Sequence, residues 1–237
     1  MRPEVIVDAP EALAGPFVRG FETAARSAIA ARGRFACALP GGSVANTFFP
    51  SLVGAAVDWK HVELFWGDER AVPPDDPEAN YGLARRLWLD HVPLEPAQVH
   101  RMRAEEPDLE AAAAAYAREL AGVLGGRPLD LVLLGMGPEG HVCSLFPGHP
   151  ALRETSRSVV AVRDSPKPPP RRITLTLVPL TGAGLVCVAA FGVEKAAAVR
   201  EAVESPDSLL PVALAARAGA RALFLLDRGA ASGLGRR

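Results

Sequence analysis

The sequence predicts an α/β fold in which a mainly parallel sheet is covered by helices on both faces. Apolar, strand-like runs alternate with helix-like segments along the 237-residue chain. The runs are continuously apolar, as expected for strands that are buried on both sides. Polar, glycine-containing segments follow several of these runs, where the ligand-binding loops of parallel sheets lie. Because no internal repeat or long linker interrupts this order, we expect residues 1–237 to form a single domain.

The individual elements follow from hydrophobic periodicity and from helix-ending residues. An alanine-rich helical pattern ends at Gly33, which is a typical residue after a helix C-terminus. Helices are predicted at residues 17–31, 44–54, 80–90, 108–124 and 193–203. Strands are predicted at residues 35–39, 62–66, 129–135, 159–163, 173–178, 185–191 and 222–226. The proline-rich segment 165–172 is predicted to be an extended surface loop.

Charge and cysteine content argue against several classes of protein. The 26 basic and 27 acidic residues give a formal net charge of -1, so no overall charge favours nucleic acid or a membrane surface as a partner. The three cysteines form no CxxC motif, which favours a reduced, cytoplasmic chain. The sequence predicts neither a signal peptide nor a membrane span. The five histidines are too scattered to predict a metal site.

The polar segment LPGGS follows the first predicted strand. Gly41, Gly42 and Ser43 lie at a strand-to-helix junction, where backbone N–H groups and the helix N-terminus suit a phosphate. The alternative is an ordinary turn in which Ser43 is the helix N-cap. On this segment alone, the ordinary turn is favoured.

The segment GMGPEGH follows the third predicted strand and imitates the dinucleotide-binding motif GxGxxG. That motif requires a full helix after the glycines, and Pro147 and Pro150 interrupt the chain too soon. The glycines are therefore expected to shape a loop that holds Glu139 and His141. A neutral imidazole can take a proton from water near pH 7, and a carboxylate can orient it. The alternative is a structural histidine that bonds to backbone.

Basic residues after other strands are candidates for anion binding. Arg70 lies with Asp68 in the segment GDER at 67–70, which is predicted to be a loop, and its guanidinium suits a phosphate or a carboxylate. Lys195 begins the predicted helix 193–203, and Arg172 follows three prolines. For each cation, the alternative is an ordinary surface charge that is solvated or paired with a neighbour.

Taken together, these segments resemble the 6-phosphogluconolactonase family. The matching stretches cover most of the chain from about residue 35 to residue 200, and they are LPGGS, ELFWGDERAVPPDDPEAN, LDLVLLGMGPEGHVCSLFPG, PPRRITLT and FGVEKAAAV. The resemblance implies a Rossmann-like α/β fold. It also implies hydrolysis of 6-phospho-D-glucono-1,5-lactone to 6-phosphogluconate in the pentose phosphate pathway, without a cofactor or a metal.

The resemblance also implies roles for individual residues. His141 corresponds to the catalytic base with Glu139 beside it, and Asp68 to an active-site carboxylate of the related deaminases. The substrate, and mainly its phosphate, is expected to contact Gly41, Gly42, Ser43, Arg70, Arg172 and Lys195. The chain departs from the family pattern in three places: Val44-Ala45 replaces Thr-Pro, Glu139 replaces an aspartate, and Ala79 replaces a serine.

A lactone is an activated ester, so its hydrolysis needs only a positioned base, an anchored phosphate and stabilisation of the oxyanion. His141 is expected to deprotonate the attacking water and then to protonate the departing ring oxygen. Two alternatives remain open. One is a glucosamine-6-phosphate deaminase-like enzyme, although that family carries a further carboxylate where this chain has LFPG at 145–148. The other is a non-catalytic sugar-phosphate sensor, although no helix-turn-helix is evident.

Overall fold

A computed structural model describes residues 3–235 and contains two sheets. Short 3₁₀ turns join several of the elements. Along the chain, the strands and helices are β1 (Glu4–Val7), α1 (Pro10–Arg32), β2 (Phe35–Leu39), α2 (Gly42–Leu52), β3 (Val62–Trp66), β4 (Asp68–Arg70), α3 (Asn80–Leu87), β5 (Val99–His100), α4 (Leu109–Leu124), β6 (Leu131–Gly135), β7 (Val159–Val162), β8 (Arg172–Leu175), β9 (Leu185–Ala190), α5 (Ala196–Glu204), α6 (Pro211–Ala218) and β10 (Ala222–Leu226).

The larger sheet is parallel throughout, with the strand order β1-β10-β9-β6-β2-β3-β5. Helices cover both of its faces. Successive side chains of a strand point to opposite faces, and alternate strand residues accordingly belong to two different apolar clusters. In β6, Leu131 and Leu133 pack with α1, α2 and α3, whereas Val132 and Leu134 pack with α4, α5 and α6. The predicted fold class is therefore confirmed.

The first helix is longer than predicted, and a strand precedes it. Pro10 begins α1 at a position where a proline is tolerated, and Gly33 ends it in the left-handed conformation with φ 76°. One side of α1 buries Leu13, Phe17 and Phe21 against the sheet. The strand β1 has only four residues, and its short alternation of burial gives little sequence signal. Helix α6 and the two-residue strand β5 also lie outside the predicted elements.

Two predicted strands do not belong to the parallel sheet. The segments predicted at 159–163 and 173–178 form β7 and β8, which pair antiparallel, and β8 also pairs antiparallel with β4. A parallel crossover needs a dozen or more residues, and the loop between β7 and β8 is too short for one. The GDER segment, predicted as a loop, contributes β4 to this second sheet. The small sheet thus lies directly beyond the carboxyl end of β3.

The strand order reverses between β2 and β6, which is where ligands bind in open parallel sheets. From β2 the chain continues through β3 to β5 on one side, and from β6 it continues through β9 to β10 on the other. The loops after β2, β3 and β6 consequently meet at one edge. None of the helices in residues 3–235 has the length and apolar character of a membrane span.

Candidate active site

The loop after β2 presents an uncapped helix N-terminus. Helix α2 begins at Gly42, and its N-cap residue, Gly41, supplies no side-chain hydrogen bond. The alternative in which Ser43 is the N-cap is therefore wrong, because Ser43 lies inside the first turn. The first N–H groups of an α-helix have no partner within the helix, and the helix dipole gives them a partial positive charge. This end of α2 can accordingly bind an anion.

Asp68 lies buried at the start of β4, and neighbouring side chains fix its orientation. Its Oδ2 accepts a 2.7 Å hydrogen bond from Ser144 Oγ. The Asn80 amide Nδ2 donates to the Asp68 carbonyl oxygen at 2.8 Å, which leaves Asn80 Oδ1 buried without a partner in residues 3–235. A Cβ on Gly41 would lie 1.7 Å from that Oδ1, so only glycine allows this close approach.

Glu69 joins β4 to the start of α3. Its carboxylate accepts hydrogen bonds from the backbone N–H groups of Arg70 at 2.8 Å, Asn80 at 2.9 Å and Tyr81 at 2.8 Å. Burial raises the pKa of Glu69 to about 7, although these three hydrogen bonds favour the ionised form. The carboxylate therefore fixes the backbone on either side of the Arg70 and Asn80 side chains.

Arg70 is the cation at the edge of this arrangement. Its Nη1 donates a 2.6 Å hydrogen bond to the carbonyl oxygen of Glu78. Its Nε is buried and has no hydrogen-bond partner in the described part of the chain. An unpaired buried donor on a charged group is costly unless a ligand completes it. Because Arg70 also lines the cavity between these loops, its guanidinium is a candidate for binding an oxyanion.

His141 and Glu139 form a hydrogen-bonded pair after β6, with 2.9 Å between Nδ1 and Oε1. Burial lowers the pKa of His141, and Lys167 acts in the same direction, while Glu139 and Asp68 oppose them. The imidazole is therefore largely neutral near pH 7. An ionised carboxylate only accepts hydrogen bonds, so Nδ1 carries the proton and Nε2 keeps its lone pair. The ring of Phe146 packs against the imidazole at 4.6 Å between centroids.

Three further cations lie near the site, in the proline-rich loop, at the start of β8 and in the turn after β9. Lys167 Nζ lies 3.0 Å from each carboxylate oxygen of Glu139. Lys195 is half-buried in a 3₁₀ turn after β9, and burial lowers its pKa, with a smaller contribution from the charge of Lys167. Arg172 is buried and donates to the carbonyl oxygens of Lys167, Pro168 and Pro169. Its guanidinium thus braces the proline-rich loop.

Most of the sequence-predicted site residues surround one cavity of about 160 Å³. They are Gly41, Gly42, Ser43, Asp68, Arg70, His141 and Arg172. Glu139 does not line the cavity itself, but it is hydrogen-bonded to His141, which does. Lys195 lies in the turn after the neighbouring strand β9 and does not line the cavity. A larger cleft of about 900 Å³ lies near the amino ends of β1 and β10, far from these groups in the fold.

Sequence reasoning missed three contributors to the site. Asn80 and Ser144 fix Asp68, and Lys167 pairs with Glu139. The motif PPRR drew attention to Arg172, but no sequence pattern places Lys167 opposite Glu139 across 28 residues. Within residues 3–235, no cluster of three or more histidine, cysteine or acidic side chains has the arrangement of a metal site.

Comparisons with known proteins identify the family to which the chain is related. The sequence matches, over residues 8–224, the family described as glucosamine-6-phosphate isomerases/6-phosphogluconolactonase. It is 45% identical to a 6-phosphogluconolactonase of Streptomyces coelicolor, with 87% of this chain and 85% of that protein covered. It is 46% identical to a 6-phosphogluconolactonase of Mycobacterium tuberculosis, with 88% of each chain covered.

A solved structure extends the comparison to the fold. The 6-phosphogluconolactonase from Trypanosoma cruzi superposes with a TM-score of 0.88 at 26% identity, covering 99% of this chain and 98% of that one. Sequence and architecture therefore lead to the same assignment, and the chain belongs to the glucosamine-6-phosphate isomerase/6-phosphogluconolactonase family.

Proposed function

We propose that this protein is a 6-phosphogluconolactonase, which hydrolyses 6-phospho-D-glucono-1,5-lactone to 6-phosphogluconate in the pentose phosphate pathway. The observation that carries the proposal is a neutral histidine, paired with a carboxylate, in a cavity that also contains an arginine with an unpaired donor. Relatives that are 45–46% identical over most of the chain bear the same enzyme name. This combination suits a substrate that is both an ester and a phosphate.

His141 acts as the general base in this proposal. Its Nε2 takes a proton from water as the water oxygen attacks the lactone carbonyl carbon, and Nδ1 donates to Glu139 throughout. The resulting imidazolium is stabilised by the negative charges of Glu139 and Asp68. The imidazolium then protonates the ring oxygen as the bond between that oxygen and the carbonyl carbon breaks. The products are a carboxylic acid and a hydroxyl group, and the base returns to its neutral form.

The phosphate is proposed to bind between the start of α2 and the nearby cations. The N–H groups of Gly42 and Ser43 supply the partial positive charge of a helix N-terminus. Arg70 supplies the buried, unpartnered Nε, and Gly41 allows Asn80 to pack closely beneath the loop. Lys195 adds positive charge from the 3₁₀ turn after β9, where it is half-buried. Arg172 contributes positive charge to the cavity wall.

The deaminase alternative requires a further carboxylate in the segment after the histidine. In this chain residues 145–148 are Leu-Phe-Pro-Gly, and Phe146 packs on the imidazole instead. The sensor alternative does not require a base, and it leaves the His141–Glu139 pair without a use. We further propose that the chain works as a single domain in the cytoplasm, in keeping with its three free cysteines.

The test is hydrolysis of freshly generated 6-phosphoglucono-1,5-lactone by purified protein, with spontaneous hydrolysis measured in parallel. Acceleration without added nucleotide or metal is the expected result. Release of ammonia from glucosamine-6-phosphate would instead favour the deaminase. Binding of 6-phosphogluconate without acceleration of either reaction would favour the sensor.

A further inference from the structure

The proline-rich loop between β7 and β8 is held firmly beside the His141–Glu139 pair. Arg172 donates from Nη2 to the carbonyl oxygens of Lys167 and Pro168, each at 3.0 Å, and from Nε to that of Pro169 at 2.9 Å. At the other side, Ser165 Oγ donates to the Lys167 carbonyl oxygen at 2.8 Å. The backbone of Lys167 is therefore fixed by two buried side chains, which limits where its ammonium can lie.

The ammonium of Lys167 contacts the carboxylate of Glu139, which in turn contacts the imidazole of His141. It lies 3.0 Å from both Oε1 and Oε2 of Glu139, and Oε1 lies 2.9 Å from His141 Nδ1. Glu139 is thus held from both sides. Burial opposes its ionisation, yet the pKa of Glu139 is lowered because its own backbone N–H, Lys167 and His141 favour the carboxylate.

Lys167 opposes the effect of the negative charges that face His141. Glu139 and Asp68 both face the imidazole and favour its protonation. Burial is the largest influence in the opposite direction, and Phe146 packs on the ring as part of that surrounding. Lys167 is the positive charge that acts with burial on the pKa of His141, while Arg70 and Arg172 line the same cavity. An imidazolium has no lone pair to take a proton from water. Removing the lysine therefore favours the inactive, protonated form.

We propose that Lys167 is a positioning residue, which holds Glu139 against His141 and offsets the carboxylate charge so that the imidazole stays a neutral base near pH 7. The lysine need not touch the substrate for this role. The inference rests on the proposed function for its kinetic consequence, but not for its effect on the histidine itself. The competing role is a direct phosphate contact, made together with Lys195.

The experiment compares the full-length wild-type protein with Lys167→Met, which keeps the length of the side chain but removes its charge. Lys167→Arg is the conservative variant, and exposed Lys60→Met is the matched control. The first readout is the NMR titration of the ring protons of His141 in ligand-free protein, assigned with His141→Asn. Its midpoint should move to higher pH in Lys167→Met and return toward wild type in Lys167→Arg.

The second readout is kcat/KM between pH 5.5 and 8.5. In Lys167→Met it should fall roughly three- to tenfold at pH 5.5 and approach wild type at pH 8.5, because loss of a neighbouring cation lowers the neutral fraction of the base. A uniform rise in KM at every pH, with an unchanged titration of His141, would overturn the proposal in favour of a phosphate contact. An unchanged titration with unchanged kinetics would overturn it too.

The titration separates this inference from the proposed function. If the wild-type protein hydrolyses no lactone, the proposed function fails, while the NMR midpoint still tests the effect of Lys167 on His141. Lys167 is 40% exposed, so its replacement is expected to leave the protein folded. Lys167→Gln provides a second uncharged variant, and thermal melting of every variant verifies the fold.

Discussion

Replacing Gly137 by alanine places a methyl group in the space that the His141 imidazole occupies. The added Cβ would lie 2.1 Å from Nδ1 and 2.2 Å from Cε1 of the ring, and 2.8 Å from Glu139 Oε2. Carbon atoms in contact are normally about 3.5–4 Å apart, so the ring must move by more than 1 Å. Gly137 does not have a positive φ, and its backbone conformation therefore accepts alanine.

We expect Gly137→Ala to lower kcat by roughly 10²-fold, which is the usual consequence of misplacing a catalytic group by about 1 Å. The phosphate-binding loops are untouched, so affinity for 6-phosphogluconate should stay near wild type. The assay is initial-rate hydrolysis of fresh lactone, corrected for the spontaneous reaction, together with product titration and thermal melting. The loop should persist, because its hydrogen bond from Gly137 N to the His141 carbonyl oxygen uses backbone atoms alone.

Gly122→Ala is the matched control for this variant. Gly122 lies inside α4, and an added Cβ there meets no atom within 4 Å. Alanine in a helix interior is about 0.5–1 kcal/mol more favourable than glycine, so this variant should be slightly more stable and fully active. A Gly137→Ala protein with wild-type kcat would refute the reasoning, because it would show that activity does not depend on the position of His141.

Three further predictions concern single side chains. His141→Asn should keep its melting temperature and product affinity while kcat falls roughly 10²–10⁴-fold; near-normal kcat would end the general-base assignment. Arg70→Ala should lower kcat/KM by an amount equivalent to roughly 1.5–3 kcal/mol, the contribution of a charged hydrogen bond, and unchanged kcat/KM at low substrate would count against it. Burial lowers the pKa of His100, but hydrogen bonds to Glu63 and Glu119 outweigh it and the net pKa is raised. The stability that protonated His100 contributes is therefore fully present below the ordinary histidine pKa of 6.5, and it is lost as pH rises through the higher pKa of the folded protein. The melting temperature of the wild type should accordingly fall between about pH 6 and 8, and that of His100→Gln should fall less.

The larger sheet is largely predictable from sequence because its central strands are buried on both faces. Such burial requires apolar residues at every position, and the runs at 35–39 and 131–134 are apolar throughout and fully buried in the structure. The short edge strands β1 and β5 lack this signal, because each has residues that are not buried. Continuous apolar runs thus identify the centre of the sheet better than its edges.

The small antiparallel sheet is harder to predict because its strands resemble those of the parallel sheet. The four residues of β7 are all apolar, and the four residues of β8 are all buried although Arg172 and Thr174 are polar. Only the connection distinguishes them, since a short proline-rich loop cannot hold a crossover helix. Loop length therefore carries information here that strand composition does not.

Candidate site residues were predictable where chain order brings them to strand ends, and less so where contacts cross between loops. Asp68 and His141 follow β3 and β6 by a few residues, so their proximity follows from the topology. The contact of Ser144 with Asp68 spans 76 residues, and that of Lys167 with Glu139 spans 28. Those contacts depend on the path of the loops, which a single sequence does not reveal.

The hydrogen bonds of the cations also refine what a family resemblance implies. A guanidinium has five N–H donors, and a donor already bonded to protein can bind a ligand only by breaking that bond. Arg172 uses Nε, Nη1 and Nη2 on protein acceptors, whereas Arg70 keeps a buried Nε free of partners in the described chain. We therefore expect the phosphate to centre on Arg70 and the start of α2, with Arg172 acting mainly through the loop that carries Lys167. Arg172→Ala should accordingly shift the pH dependence of kcat/KM in the direction expected for Lys167→Met, whereas Arg70→Ala should change substrate affinity at every pH. A pH profile of Arg172→Ala that matches Arg70→Ala would contradict this division of roles.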